Sequence, residues 1–86
     1  MKEIFMITLE KCPYCKEAFD YIHELKKENP NYEQLNITVI DEQKEPEKIQ
    51  GFNYYYVPTF YVEDIKAHEG VPSKEIIQKV LDSALE

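Results

Sequence analysis

Two cysteines stand two residues apart in Cys12-Pro13-Tyr14-Cys15, directly after Glu3-Ile4-Phe5-Met6-Ile7-Thr8-Leu9, a nearly continuous apolar run of strand length. A run of that kind reads as a central strand covered on both faces, and Pro13 suits the first position of a helix. The chain must therefore pass from a buried strand straight into a helix at its cysteines. On the first turn of a helix, two sulfurs at this spacing can come within bonding distance while only the first faces solvent. Reversible disulfide chemistry needs that arrangement.

The remaining periodicities extend the pattern. Cys15, Ala18, Phe19, Ile22 and Leu25 form one apolar stripe, with Lys16, Glu17, Asp20, His23 and Glu24 on the water side. Lys26 and Lys27 complement the helix dipole, and Asn29-Pro30-Asn31 stops the helix. Leu35 to Ile40 reads as a second buried strand, and Asp41 to Glu45 as a polar connector. Pro46 to Gln50 is expected to be a short helix ended by Gly51. Thr59–Val62 and Ile65–His68 read as antiparallel strands turning near Glu63-Asp64. Ser73 caps a last helix with apolar positions Ile76, Ile77, Val80, Leu81, Ala84 and Leu85. The order is β-α-β-α-β-β-α.

With 86 residues there is room for one small domain, and an apolar content of 43% with four Phe and seven Tyr is ample for its core. A charged fraction of 31% argues against a membrane protein. The net charge is −7 and all ten cations are lysines, so nucleic acid is not an expected partner. The apolar run Ile4–Ile7 is too short for a signal-peptide core and is flanked by Glu3 and Glu10. A soluble, monomeric, cytoplasmic domain is expected. In that setting a two-cysteine chain is catalytic or metal-binding rather than stapled by a structural disulfide.

The C-x-x-C after the first strand and Val57-Pro58-Thr59 before the hairpin together resemble the thioredoxin/glutaredoxin superfamily over the whole chain. The resemblance implies an α/β thioredoxin fold, a four-stranded mixed sheet flanked by helices, and thiol–disulfide oxidoreductase activity on protein or small-molecule disulfides. Cys-Pro-Tyr-Cys is the motif of dithiol glutaredoxins. Yet those proteins usually carry a cation where Leu9 stands, and a glycine pair followed by acidic residues where Glu69-Gly70-Val71-Pro72-Ser73-Lys74 stands. The Gly-x-x-Ser-Lys turn is closer to thioredoxins, although Met6 replaces their buried aspartate. With no arginine to grip an anionic tripeptide, these departures favour a flavoprotein of the thioredoxin-reductase type as electron donor over glutathione as cosubstrate. No bound cofactor is expected.

The nucleophile in such chemistry is a thiolate, so one cysteine needs a depressed pKa, from roughly 8.5 to ~4–7 in motifs of this kind. Cys12 sits where unpaired N–H groups and the positive helix end favour a sulfur anion, and Lys11 adds a cation while Glu10 opposes it. Cys12 is thus expected to attack and Cys15 to resolve the mixed disulfide. Given the C-x-x-C, the resemblance implies a cis Val57–Pro58 bond opposite Cys12, with Val57's backbone available to an extended substrate. Tyr14, between the cysteines, is expected to shape access, and Gly70 to belong to the substrate-binding turn. Alternate residues of Tyr54-Tyr55-Tyr56 are expected to pack inward while the others rim the site.

Two binding-module readings compete. Zinc would use Cys12 and Cys15 with His23 and His68, but those histidines are far apart in the chain and His23 lies on a polar helix face. An iron–sulfur cluster bridging two chains occurs among glutaredoxins, although proline after the first cysteine disfavours it. No metal ligand is assigned.

Overall fold

A computed structural model describes residues 1–86. Its sheet has the order β2-β1-β3-β4, from β1 (Ile4–Thr8), β2 (Ile37–Asp41), β3 (Thr59–Val62) and β4 (Ile65–Glu69). β1 is parallel to β2 and antiparallel to β3, with Met6 opposite both Val39 and Phe60. The apolar run thus becomes a central strand, paired on both edges.

Helices α1 (Pro13–Glu28) and α2 (Lys74–Leu85) cover one face. Their buried stripes, Ala18, Ile22 and Leu25 on α1 and Ile77, Val80, Leu81 and Ala84 on α2, close over Ile4, Met6, Phe60 and Val62. Ser73 Oγ accepts the Ile76 N–H at 3.1 Å and so caps α2 as the sequence suggests. Asn29 ends α1, its N–H bonded to the Leu25 carbonyl, and its side chain starts a 3₁₀ turn over Pro30–Gln34. Tyr32 in that turn is buried, and its hydroxyl donates to Asp82 of α2 at 2.5 Å.

Several local expectations are corrected. Phe19 is 40% exposed rather than part of the stripe; at 100° per residue it stands about 80° from the centre of the arc through Cys15, Ala18, Ile22 and Leu25. The second strand begins at Ile37, and it is an edge strand with Val39 44% exposed. The helices lie over β1 and β3, and from β2 only the half-buried Ile37 reaches their cluster. The short helix from Pro46 is a single 3₁₀ turn, Pro46–Ile49.

Aromatic side chains cover the opposite face near that turn. The Phe52 ring lies 5.6 Å from Phe5 and 4.8 Å, edge-on, from Tyr61. Tyr61 also fastens the segment by its hydroxyl, which donates to the Asn53 carbonyl at 2.9 Å and accepts the Asn53 N–H at 3.1 Å. Phe52 thus bridges Phe5 and Tyr61 on this face.

The hairpin turns at Glu63, whose φ of 58° places it in the left-handed region. The Glu63 N–H donates to the Glu3 carbonyl at 2.8 Å, and its carboxylate accepts the Glu3 N–H at 3.0 Å. β4 runs one residue beyond the expected His68, which brings Glu69 opposite Thr59.

Candidate active site

Cys12 is the N-cap of α1, with extended backbone angles, and Pro13 opens the helix. The cap is a sulfur: Cys12 Sγ accepts the N–H of Cys15 at 3.1 Å, where a serine or aspartate oxygen usually stands. The two cysteines form a disulfide with Cα atoms 5.1 Å apart, inside the range natural disulfides occupy. Cys12 is half-buried, whereas Cys15 is 2% exposed and faces the core. Only one sulfur is open to an incoming group.

Across from Cys12 lies the segment leading into β3. The Val57–Pro58 bond is cis, and the Val57 carbonyl oxygen is 3.8 Å from Cys12 Sγ. Pro58 is buried, and its carbonyl accepts the Gly70 N–H at 2.9 Å. Gly70 has a φ of 99°, a conformation that favours glycine, so the chain can leave β4 and still direct this N–H to Pro58. The Val57 N–H and carbonyl make no backbone hydrogen bond.

The structure thus brings together Cys12, Cys15, Val57, Pro58 and Gly70. Tyr14 is exposed beside them. Lys11 is exposed and makes no ion pair, while Glu10 is turned to Lys44, 3.5 Å away. The acidic neighbour is therefore partly compensated, although at this exposure the pair is worth little in stability.

The tyrosine triplet does not alternate. Tyr54 is half-buried and its hydroxyl donates to Glu42 at 3.0 Å; burial, then the carboxylate beside it, pushes its pKa up to about 12. Tyr55 and Tyr56 both face solvent, at 92% and 70% exposure. Their backbone is held by Glu69, which sequence reasoning missed. Its Oε2 accepts the N–H of Tyr55 and, at 2.8 Å, that of Tyr56, and its Oε1 pairs with Lys66 at 2.7 Å. Lys66 first, then the two N–H donors, hold the Glu69 carboxyl down at about 2. Thr59 completes the fastening, its hydroxyl donating to the Tyr56 carbonyl. No sequence signal marks these contacts, because they depend on where β4 ends relative to β3.

No three His, Cys, Asp or Glu side chains converge as a metal-holding group. His23 is exposed on α1, and His68 on β4 contacts the Val71 carbonyl at 3.0 Å. The zinc set considered from the sequence is therefore not assembled.

The helix-capping cysteine pair faces a cis-proline segment, and the thioredoxin domain family matches residues 2–82. The chain belongs to the thioredoxin domain family. A probable thioredoxin of Methanothermobacter thermautotrophicus is 26% identical over 83 residues, covering 96% of this chain and 95% of that protein. Among solved structures, the oxidised thioredoxin of Plasmodium falciparum superposes with a TM-score of 0.67 at 17% identity, covering 99% of this chain and 84% of that one. Thioredoxin O2 of Arabidopsis thaliana in its oxidised state gives 0.67 at 20% identity, covering 100% and 76%. At those identities the two structures establish the thioredoxin fold. Family membership and the adjoining cysteines make this thioredoxin-family chain a thiol–disulfide oxidoreductase.

Proposed function

We propose that this chain reduces protein disulfides, with Cys12 as nucleophile and Cys15 as resolving thiol, and that a flavoprotein of the thioredoxin-reductase type re-reduces it. The observation that carries the reading is the asymmetry of the pair: Cys12 caps the helix and is accessible, and Cys15 is buried on the first turn. In the dithiol form, the Cys15 N–H and the N-terminal end of α1 stabilise a thiolate at Cys12. That thiolate attacks one sulfur of the substrate disulfide and expels the other as a thiolate. Cys15, as thiolate, then attacks Cys12 Sγ and releases the second substrate sulfur. Two electrons leave the cysteines, and solvent supplies the two protons of the substrate thiols. An extended substrate segment pairs with the free N–H and carbonyl of Val57, a short form of strand addition.

The choice of donor rests on the turn after β4. Gly70 gives its N–H to Pro58, and the N-terminus of α2 is capped by Ser73. The Gly70 N–H is thus engaged within the chain rather than open to the γ-glutamyl carboxylate of glutathione, and the chain has no arginine to hold that carboxylate. Such a donor suits the cytoplasmic setting expected for the chain. The test is insulin reduction followed by NADPH consumption, with thioredoxin reductase in one arm and glutathione with its reductase in the other. Turnover at least about tenfold faster in the first arm is expected. Faster turnover with glutathione would reverse the assignment of the donor.

A further inference from the structure

We infer that Glu69 is a positioning residue of the reductase site, holding the Tyr55–Tyr56 backbone so that Val57 alone presents its backbone to a substrate beside Cys12. This inference rests on the proposed pairing of substrate with Val57.

The segment is fastened on both sides of Val57. On the upstream side, one carboxylate oxygen takes two successive N–H groups, those of Tyr55 and Tyr56. The Tyr56 carbonyl is taken by the Thr59 hydroxyl. On the downstream side Pro58 has no N–H to offer, and its carbonyl is taken by Gly70. Consecutive residues 69 and 70 at the end of β4 thus grip residues 55, 56 and 58, and the residue between them is left free. Hydrogen bonds to an ionised acceptor are roughly twice as strong as neutral ones, so a carboxylate suits an otherwise solvent-exposed loop. Lys66, three residues earlier on β4, keeps that carboxylate in place through the other oxygen.

Two consequences for recognition follow. Substrate backbone pairing cannot use the Tyr55 and Tyr56 N–H groups or the Tyr56 carbonyl, which already have partners, so beside Cys12 it is confined to Val57. The Tyr55 and Tyr56 side chains, both exposed, become the surface the substrate meets next, with Tyr14 exposed on the cysteine side. The substrate class is therefore a disulfide in an extended peptide segment with apolar or aromatic neighbours, rather than a small disulfide without a peptide backbone.

The test uses Glu69→Ala, Glu69→Gln and Lys66→Met in the full chain, with dithiothreitol as reductant so that the result does not depend on the physiological donor. KM for insulin is expected to rise about fivefold or more in Glu69→Ala while kcat falls less than about twofold. Turnover of hydroxyethyl disulfide, which has no backbone to pair, is expected to fall less than about twofold. Glu69→Gln keeps an acceptor and is expected to recover part of the KM, and Lys66→Met is expected to fall between it and the parent. Amide exchange at Tyr55 and Tyr56 is expected to accelerate about tenfold or more in Glu69→Ala, with Met6 and Phe60 unaltered. Unchanged KM and unchanged exchange at Tyr55 and Tyr56 would overturn the role of Glu69. A parallel loss with both disulfides, accompanied by faster exchange at Met6 and Phe60, would also overturn it, as mere support of the fold. A parent chain that left both disulfides intact would instead defeat the reductase reading, and the exchange data would still decide whether Glu69 holds the loop.

Discussion

The backbone N–H of Cys15 points at the sulfur of Cys12 across 3.1 Å, so Cys12, the proposed nucleophile, caps the helix turn that carries Cys15. In the dithiol protein that donor, together with the α1 N-terminus, favours the anion at Cys12 and not at Cys15, which is buried among apolar groups. Iodoacetamide at about pH 6 is therefore expected to alkylate Cys12 well before Cys15, as read by peptide mass. Equal labelling of the two would remove the assigned asymmetry.

Replacing the resolver should stop the reaction halfway. Cys15→Ser is expected to accumulate a covalent adduct with a protein disulfide through Cys12, visible on a non-reducing gel and released by dithiothreitol. Cys12→Ser is expected to form no adduct and to lose about a thousandfold or more in turnover. An adduct in Cys12→Ser would exchange the roles.

Glu69 should leave a signature in acid. Its carboxyl is held at about 2 against an ordinary 4.5, chiefly by Lys66 and then by the Tyr55 and Tyr56 N–H groups. A depressed folded-state value contributes stability that is present above the ordinary value and lost as pH falls from there through the folded one. The difference in urea midpoint between the parent and Glu69→Gln is therefore expected to be constant near neutrality and to shrink as pH drops below 4.5 towards 2. A difference that did not vary with pH in that interval would show that the carboxylate charge is not what holds the loop.

Two phenylalanines should behave oppositely to their appearance in the sequence. Phe52, in a loop, bridges Phe5 and Tyr61, and Phe52→Ala is expected to cost about 2 kcal/mol, less than a fully buried ring because it remains half-exposed. Phe19, on a helix stripe, is 40% exposed, and Phe19→Ala is expected to cost under about 1 kcal/mol. Urea denaturation of both variants checks the order, and a larger loss at Phe19 would contradict the packing described.

Local signals were read correctly where one physical rule dominates. Unbroken apolar character marked β1, Pro13 and Ser73 marked two helix starts, and the spacing of α2 placed its buried face. Signals failed where neighbours decide. Leu35 to Ile40 is apolar enough for a central strand, but the helices settle over β1 and β3 and leave Val39 at an edge. Pro46 can start an α-helix or a 3₁₀ turn equally well, and the turn it starts, Pro46–Ile49, buries no residue that would favour a longer helix.

By itself, the sequence determined that a buried strand runs into a helix at Cys12, and hence that one sulfur is exposed at a helix start while the other turns inward. Those properties depend on residues adjacent in the chain. Only the tertiary structure decided what faces that sulfur and how firmly it is held. The approach of Val57 to Cys12, and the grip of Glu69 and Gly70 on residues 55 to 58, join segments 12 to 45 positions apart. The first is set by the register of β1 against β3 and the second by that of β3 against β4, which cross-strand pairing fixes and a linear pattern does not encode.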